Sequence, residues 1–104
     1  MSEIIVLITS SDEAEAERIA KALVEDKLAG CVSIVKDVRS IYSWEGKIED
    51  EKEALMIAKT RKSLFAPLME KVKALHSYTV PEIIALPIIE GSVDFTRWLK
   101  EVTE

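Results

Sequence analysis

The chain has 104 residues, of which 48% are hydrophobic and 32% charged. This composition is typical of one folded, soluble domain with a single small core, and it excludes a disordered chain. The formal net charge is −5 at pH 7, which argues against a nucleic-acid partner because proteins that bind phosphate backbones normally carry a basic face.

The only cysteine is Cys31, so no intrachain disulfide can form. The N-terminal stretch MSEIIVLITSS has no basic leader and only a short apolar run, which is typical of a first strand rather than a signal peptide. No segment reaches the length of a transmembrane helix. We therefore expect a cytoplasmic protein with no membrane partner. The chain has neither Asn nor Gln but is rich in Lys and Glu, which favours a thermophilic source.

The first third of the chain predicts a strand, a helix and a second strand. Residues 4–9 form a continuous apolar and β-branched run, the pattern of a strand buried on both faces. Ser10 and Glu13 fit an S-x-x-E capping box for the helix. Apolar side chains then recur at helical spacing, at Ala16, Ile19, Ala20, Leu23, Val24 and Leu28. Gly30 is placed as a helix stop, and residues 31–35 are the predicted second strand.

A long hairpin is predicted over residues 38–60. The glycine-containing turn at 45–46 separates two strand patterns, and the first strand alternates so that Val38, Ser40, Tyr42 and Trp44 share one face. The acidic residues of the returning strand are expected to be solvated, at Glu49, Asp50, Glu51 and Glu53. A hairpin of this length extends beyond the core of a small domain, so its outer part must pack against something else.

The last third predicts a helix, an edge strand and a short helix. Residues 63–75 have the helical pattern, with Ser63 as N-cap and Pro67 within the first turn. Residues 81–88 form the fourth strand, at a sheet edge because a proline near each end removes an N–H donor. Ser92 can cap the final helix, whose apolar residues, expected to include a buried Trp98, are Phe95, Trp98, Leu99 and Val102.

The element order β-α-β-β-α-β plus a terminal helix predicts one ferredoxin-like α+β domain over residues 1–104. In this fold two helices cover one face of an antiparallel sheet. The other face would carry apolar residues of the segments 4–8, 31–35 and 83–88. An exposed apolar face of that size predicts self-association.

Several segments resemble the CutA divalent-cation-tolerance proteins, in matching order and spacing over nearly the whole chain. They are LAGCVSI (28–34), SIYSWEGKIEDEKEALMIAKT (40–60), LHSYTVPEIIALPI (75–88) and DFTRWL (94–99). Among the departures, Ser77 stands where the family usually has proline, and Gly30 stands where alanine is more usual. The loss of proline is expected to make the turn after residue 76 less rigid.

The resemblance implies a ferredoxin-like subunit in a tight homotrimer with the architecture of PII-type signalling proteins. Hairpins would reach across to neighbouring subunits, and the sheets would face the three-fold axis. The implied role is tolerance of divalent metals, copper in particular, through weak binding or signalling. The sequence identifies neither the physiological metal nor a protein partner.

The candidate metal ligands are Cys31 and His76, the only residues of their types. One subunit lacks the paired spacing of a closed transition-metal site, but a trimer would supply each ligand three times. The hypothesis is that Cu²⁺ or another divalent cation binds weakly through one or both residues, with no organic cofactor. The alternatives are a small buried thiol in a strand for Cys31 and a helix-end imidazole for His76.

An enzyme is not expected, because the chain has no nucleophile motif and no phosphate-binding glycine loop. Tyr42 and Trp44 are candidate trimer-interface anchors, since aromatic residues on a projecting hairpin usually pack against a partner. The alternative function is a PII-like sensor with no metal role, which would hold a small ligand at a subunit cleft. Its candidate cleft residues are Lys59, Tyr78 and Glu82.

Overall fold

The computed structural model describes residues 2–104. A short 3₁₀ turn, Lys62–Leu64, precedes the second helix. The elements are β1 (Glu3–Ser10), α1 (Glu13–Glu25), β2 (Cys31–Trp44), β3 (Lys47–Arg61), α2 (Phe65–Leu75), β4 (Ile83–Pro87) and α3 (Val93–Val102). The predicted ferredoxin-like order and the terminal helix are confirmed. No helix within residues 2–104 combines the length and apolar character needed to cross a membrane.

The four strands form one antiparallel sheet in the order β2-β3-β1-β4. β4 is an edge strand, as its prolines predicted, and it begins after Pro81 and ends at Pro87. In the centre of the sheet Leu7 of β1 lies opposite Ile57 of β3 and Ile84 of β4. This register decides which side chains share a face.

The core lies between one face of the sheet and helices α1 and α2. Alternate strand residues and one stripe of each helix are buried there, among them Val6, Ile8, Met56, Ile19, Leu23, Leu68 and Val72. β1 therefore alternates in burial, and the expectation that both of its faces are buried is wrong for the single chain. The reason is that α1 and α2 lie on the same side of the sheet.

The other side of the sheet, called the open face below, is apolar. Its side chains come from all four strands and include Ile5, Leu7, Val35, Leu55, Ile57, Ile84 and Leu86. Val35, Ile84 and Leu86 are 44%, 51% and 50% exposed. The bare apolar face that the sequence predicted is thus present in the structure of the chain.

The β2–β3 hairpin projects from the sheet, so that the chain measures 44 Å along its longest axis. The two residues of the hairpin turn, Glu45 and Gly46, both have positive φ, of 50° and 78°, which is typical of a two-residue turn between antiparallel strands. A bulge in β2 at residues 36–37 marks where the hairpin leaves the body of the sheet. Arg39 donates two hydrogen bonds to Asp50 across the outer hairpin, at 2.9 and 2.7 Å.

The ends of α1 differ from the prediction. Asp12, not Ser10, is the N-cap, and its Oδ1 accepts a hydrogen bond from the Glu15 backbone N–H at 2.8 Å. The helix ends at Glu25, five residues before Gly30, which was predicted as its stop, and Lys27 takes a left-handed conformation after the helix end. Val24, predicted on the buried stripe, is 44% exposed.

The starts of α2 and α3 confirm the prediction only in part. Leu64 rather than Ser63 precedes α2, without a side-chain cap, and Pro67 lies in the first turn as expected. Ser92 caps α3 by accepting a hydrogen bond from the Phe95 N–H at 3.4 Å. Trp98 is 40% exposed, so its prediction as a core residue is wrong: Leu99, the next residue, faces inward and is fully buried.

Candidate functional site

Four residues singled out in the sequence lie around one cleft, namely Tyr42, Trp44, Tyr78 and Glu82. This cleft, called the hairpin cleft below, lies between the β2–β3 hairpin and the segment that joins α2 to β4. It has a volume of about 650 Å³. The other lining residues are Thr9, Ser40, Ile41, Glu53, Ser77, Thr79 and Val80.

Glu53 is a cleft residue that the sequence did not single out. It was expected to be solvated with the other hairpin acids, but only 6% of the residue is exposed. The Tyr78 hydroxyl donates a hydrogen bond to Glu53 Oε2 at 2.6 Å. Burial raises the pKa of Tyr78 well above its usual range, and the Glu53 carboxylate raises that pKa further. The Tyr78 hydroxyl therefore keeps its proton and stays a donor at neutral pH.

His76 lies directly behind the cleft, with its side chain fully buried. Its Nε2 is 2.6 Å from the Thr9 carbonyl oxygen, and its Nδ1 is 3.0 Å from the Tyr78 backbone nitrogen. Because the Tyr78 N–H can only donate, these contacts assign the neutral tautomer with the proton on Nε2. His76 also ends α2, where its backbone N–H donates to the Val72 carbonyl oxygen. Both ring nitrogens are thus engaged within the subunit.

Glu15 fixes the turn that carries His76 and Tyr78 to the start of α1. Its side chain accepts hydrogen bonds from the Ser11 N–H at 3.0 Å and the Ser77 N–H at 2.7 Å. Burial alone would raise the pKa of Glu15, but the bonds from Ser11 and Ser77 outweigh it and lower that pKa to about 2. A proline at position 77 would lack the N–H that makes the second bond.

Cys31 and Lys59 lie elsewhere on the open face, opposite each other on β2 and β3. The Lys59 ammonium donates to Ser33 Oγ at 2.8 Å and lies 3.9 Å from Cys31 Sγ. Lys59 is therefore placed beside Cys31 and not among the residues that line the hairpin cleft.

The two predicted metal ligands are not brought together within one subunit. Thr9, whose carbonyl oxygen contacts His76, pairs with Leu55 of β3, whereas Cys31 pairs with Lys59. Those two β3 positions, Leu55 and Lys59, are four residues apart along the strand, which corresponds to about 13 Å. In the described part of the chain, residues 2–104, no group of three or more His, Cys, Asp or Glu side chains is placed to hold a metal ion.

The signals for the missed residues are local but weak. Asp12 and Glu15 form a D-x-x-E pattern that indicates a helix start as well as Ser10 and Glu13 do. Glu53 directly precedes the apolar half of β3, so its position marked the boundary between solvated hairpin and buried strand. Neither pattern indicates that Glu15 contacts Ser77 or that Glu53 contacts Tyr78.

Comparison with known proteins decides the family. The family model described as "CutA1 divalent ion tolerance protein" matches residues 4–102. The chain belongs to the CutA1 family. The resemblance drawn from the sequence segments is thereby confirmed.

Similar proteins come from several branches of life. "Divalent-cation tolerance protein CutA" of Thermus thermophilus is 52% identical over 97% of this chain and 98% of its own length. "Protein CutA, chloroplastic" of Arabidopsis thaliana is 47% identical over 96% of this chain but only 55% of its own length. The structure of the "Periplasmic divalent cation tolerance protein CutA" from Archaeoglobus fulgidus is 48% identical, covers 98% of this chain and 99% of that one, and superposes with a TM-score of 0.96.

Proposed function

We propose that this CutA1-family chain acts in divalent-cation tolerance, by binding or signalling and not by catalysis. The family match over residues 4–102 carries this proposal. The name of the Thermus relative, which matches almost end to end, supports the same role.

A homotrimer is the assembly that we propose, because the open face and the hairpin both leave apolar side chains in water. Fully burying a large aliphatic side chain contributes about 1.5–3 kcal/mol, so completing the burial of a half-exposed one contributes about 1 kcal/mol. The open face offers several such side chains, including Ile84 and Leu86. Tyr42 and Trp44, at 39% and 41% exposed, offer further area to a neighbouring hairpin. Sedimentation at low micromolar protein tests the assembly, and a stable 11.7 kDa species would contradict it.

For the metal we propose Cys31 as the first ligand and His76 as the second candidate. Cys31 is only partly buried and lies on the open face, where packing of three subunits would bring three thiols toward one axis. His76 would first have to release the Tyr78 N–H from its Nδ1. Thiolate and imidazole are ligands for borderline transition-metal ions, so Cu²⁺ or a similar divalent ion is the proposed cargo.

Anaerobic titration of the full chain with Cu²⁺ and with redox-inert Cd²⁺ tests this proposal. We expect Cd²⁺ to produce a thiolate charge-transfer band that Cys31→Ser abolishes and that the control Glu101→Gln leaves unchanged. His76→Ala is expected to weaken binding only if the ring also contacts metal. Unchanged affinity and stoichiometry in the Cys31→Ser, His76→Ala double variant would refute both ligands.

A cytoplasmic location and a thermophilic source complete the proposal. The lone thiol supports a reducing compartment, and the absence of Asn and Gln supports adaptation to heat. The names of two similar proteins give other compartments, chloroplastic and periplasmic. Fractionation of the source cells with an antibody to this chain would test the compartment directly.

A further inference from the structure

We propose that the outer β2–β3 hairpin of one subunit docks onto α3 of the next, so that the homotrimer closes as a head-to-tail ring. The inference rests on the proposed homotrimer and adds to it the two surfaces that meet. These are the hairpin pair Ile41 and Ile48 and the α3 pair Phe95 and Trp98. The partner is therefore a second copy of this chain.

The outer hairpin is apolar on both of its faces. Tyr42 and Trp44 lie on the face that continues the open face, so packing of the open face in the trimer also covers that side. Ile41 and Ile48 are diagonal neighbours on the reverse face, and they are 64% and 75% exposed. Covering both faces of the hairpin therefore requires a second surface besides the open face.

Helix α3 lies on the open-face side of the sheet, opposite α1 and α2. Arg61, which alternates with Lys59 on β3 and so shares the open face, donates to the Thr103 hydroxyl at 2.9 Å and to its carbonyl oxygen at 2.8 Å. Leu99 is fully buried by this packing, although it is not part of the core under α1 and α2. The helix and the open face together form a corner.

Phe95 and Trp98 form an apolar patch on α3. Their ring centroids are 5.5 Å apart, and the two residues are 41% and 40% exposed. An aromatic side chain buries about 150–250 Å² when fully covered, so the two rings together leave roughly 150 Å² for a partner. Because α3 lies on the open-face side, this patch is continuous with the surface that the proposed homotrimer buries.

A subunit cannot cover this patch with its own hairpin. The Gly30 N–H donates to the Lys59 carbonyl oxygen, and Gly30 lies against Leu99 and so places α3 at that level of the sheet. The hairpin turn ends at Lys47, twelve positions before Lys59 on β3, which corresponds to about 40 Å. Two different surfaces at opposite ends of one chain make a heterologous contact, and such contacts close into rings.

The charges beside the two surfaces are complementary. Asp94 and Glu101 lie four residues before and three residues after Trp98, so they flank it on the helix surface. Lys52 extends the hairpin face that carries Ile41, next to a salt-bridged Arg–Asp pair whose charges cancel. Docking brings the basic flank of the hairpin to the acidic flank of α3, which favours this orientation of the contact.

Cross-linking between two introduced cysteines tests the contact. Position 43 pairs with Ile48 across the hairpin, so Ser43→Cys lies beside the docking surface, and Asp94→Cys lies beside Trp98. Both are placed in a Cys31→Ser chain and treated with a short bismaleimide. We expect the double variant to form covalent dimers and trimers. Each single-cysteine variant should form none, because the contact joins two different positions.

The outcomes separate this contact from the assembly itself. A control that combines Ser43→Cys with Arg18→Cys, exposed on α1 across the sheet, should not cross-link. Equal cross-linking of that control, or cross-linking of Ser43→Cys alone, would overturn the proposal. A double variant that sediments as a trimer without cross-linking would overturn it and leave the homotrimer standing. A wild-type chain that sediments at 11.7 kDa would overturn both.

Ile48→Ser tests the same contact without a cross-linker. Ile48 is mostly exposed in the subunit, so the substitution should barely affect the fold of one chain but removes apolar burial from all three contacts. We expect the protein concentration at which half of the trimer dissociates, measured by sedimentation in subdenaturing urea, to rise at least about tenfold. Val93→Ser is the matched control, since Val93 is 68% exposed on the opposite side of α3 from Phe95 and Trp98. Unchanged dissociation of Ile48→Ser would overturn the proposal.

Discussion

Glu15→Gln should destabilise the protein in a pH-dependent way. The substitution keeps the size of the side chain but removes the charge that accepts bonds from Ser11 and Ser77. Folding lowers the pKa of Glu15 from 4.5 to about 2. Each unit of pKa shift corresponds to 1.36 kcal/mol, so the charged form of Glu15 contributes about 3 kcal/mol to stability.

The sign of the pH dependence follows from the direction of that shift. Since the pKa of Glu15 is lower in the folded state, its contribution is fully present above the unfolded-state value of 4.5. The contribution is lost as the pH falls from 4.5 toward about 2. The difference in unfolding free energy between wild type and Glu15→Gln should therefore be about 3 kcal/mol at pH 7 and shrink across that acid range.

Urea unfolding at fixed protein concentration, repeated from pH 7 down to pH 2.5, measures this difference. Fixed concentration matters because assembly contributes to the apparent stability of an oligomer. Glu17→Gln is the matched control: it removes an exposed carboxylate from the same helix and should have little effect at any pH. A difference for Glu15→Gln that is absent at pH 7, or that stays constant down to pH 2.5, would refute the reasoning.

Three further substitutions test neighbouring features by urea unfolding. Tyr78→Phe removes the donor to Glu53 and should lower the unfolding free energy by about 1.5–3 kcal/mol. Because folding raises the Tyr78 pKa, this loss should shrink above pH 10. An unchanged urea midpoint at pH 7 would contradict the prediction. Ser77→Pro removes the N–H that donates to Glu15 and should lower the unfolding free energy by about 1.5–3 kcal/mol. In the Glu15→Gln background most of this loss should be absent, and full additivity of the two substitutions would argue against their coupling. The methyl group of Gly46→Ala would meet no neighbour within 4 Å. The substitution should therefore lower the unfolding free energy only by the strain of alanine in the left-handed conformation, about 1 kcal/mol. A larger loss would indicate contacts that the hairpin makes in the assembly.

Most of the fold could be predicted from the sequence because its signals are local. Alternation and turn residues located the hairpin, and two prolines placed β4 at the edge of the sheet. The errors lie where several local patterns compete. Ser10 and Asp12 can each cap α1, and a ten-residue helix such as α3 has too few turns to show whether Leu99 or Trp98 faces inward.

The candidate site was predictable only in Glu82 and in its aromatic residues. Tyr42, Trp44 and Tyr78 stood out by residue type, and the structure brings them together around one cleft. The contacts that organise it join residues far apart in sequence: Tyr78 meets Glu53 across 25 positions, and Ser77 meets Glu15 across 62. Such pairings follow from strand register and helix docking, which a reading of local pattern does not supply.

The close approach of Gly30 to α3 constrains how this sequence can change. A Cβ on Gly30 would lie 2.6 Å from Leu99 Cδ1 and 2.9 Å from Val102 Cγ2. Alanine at this position therefore requires both of those side chains to become smaller or to move away. The order of mutations therefore matters: shortening Leu99 and Val102 first makes room for the methyl group, whereas substituting the glycine first forces both side chains to shift.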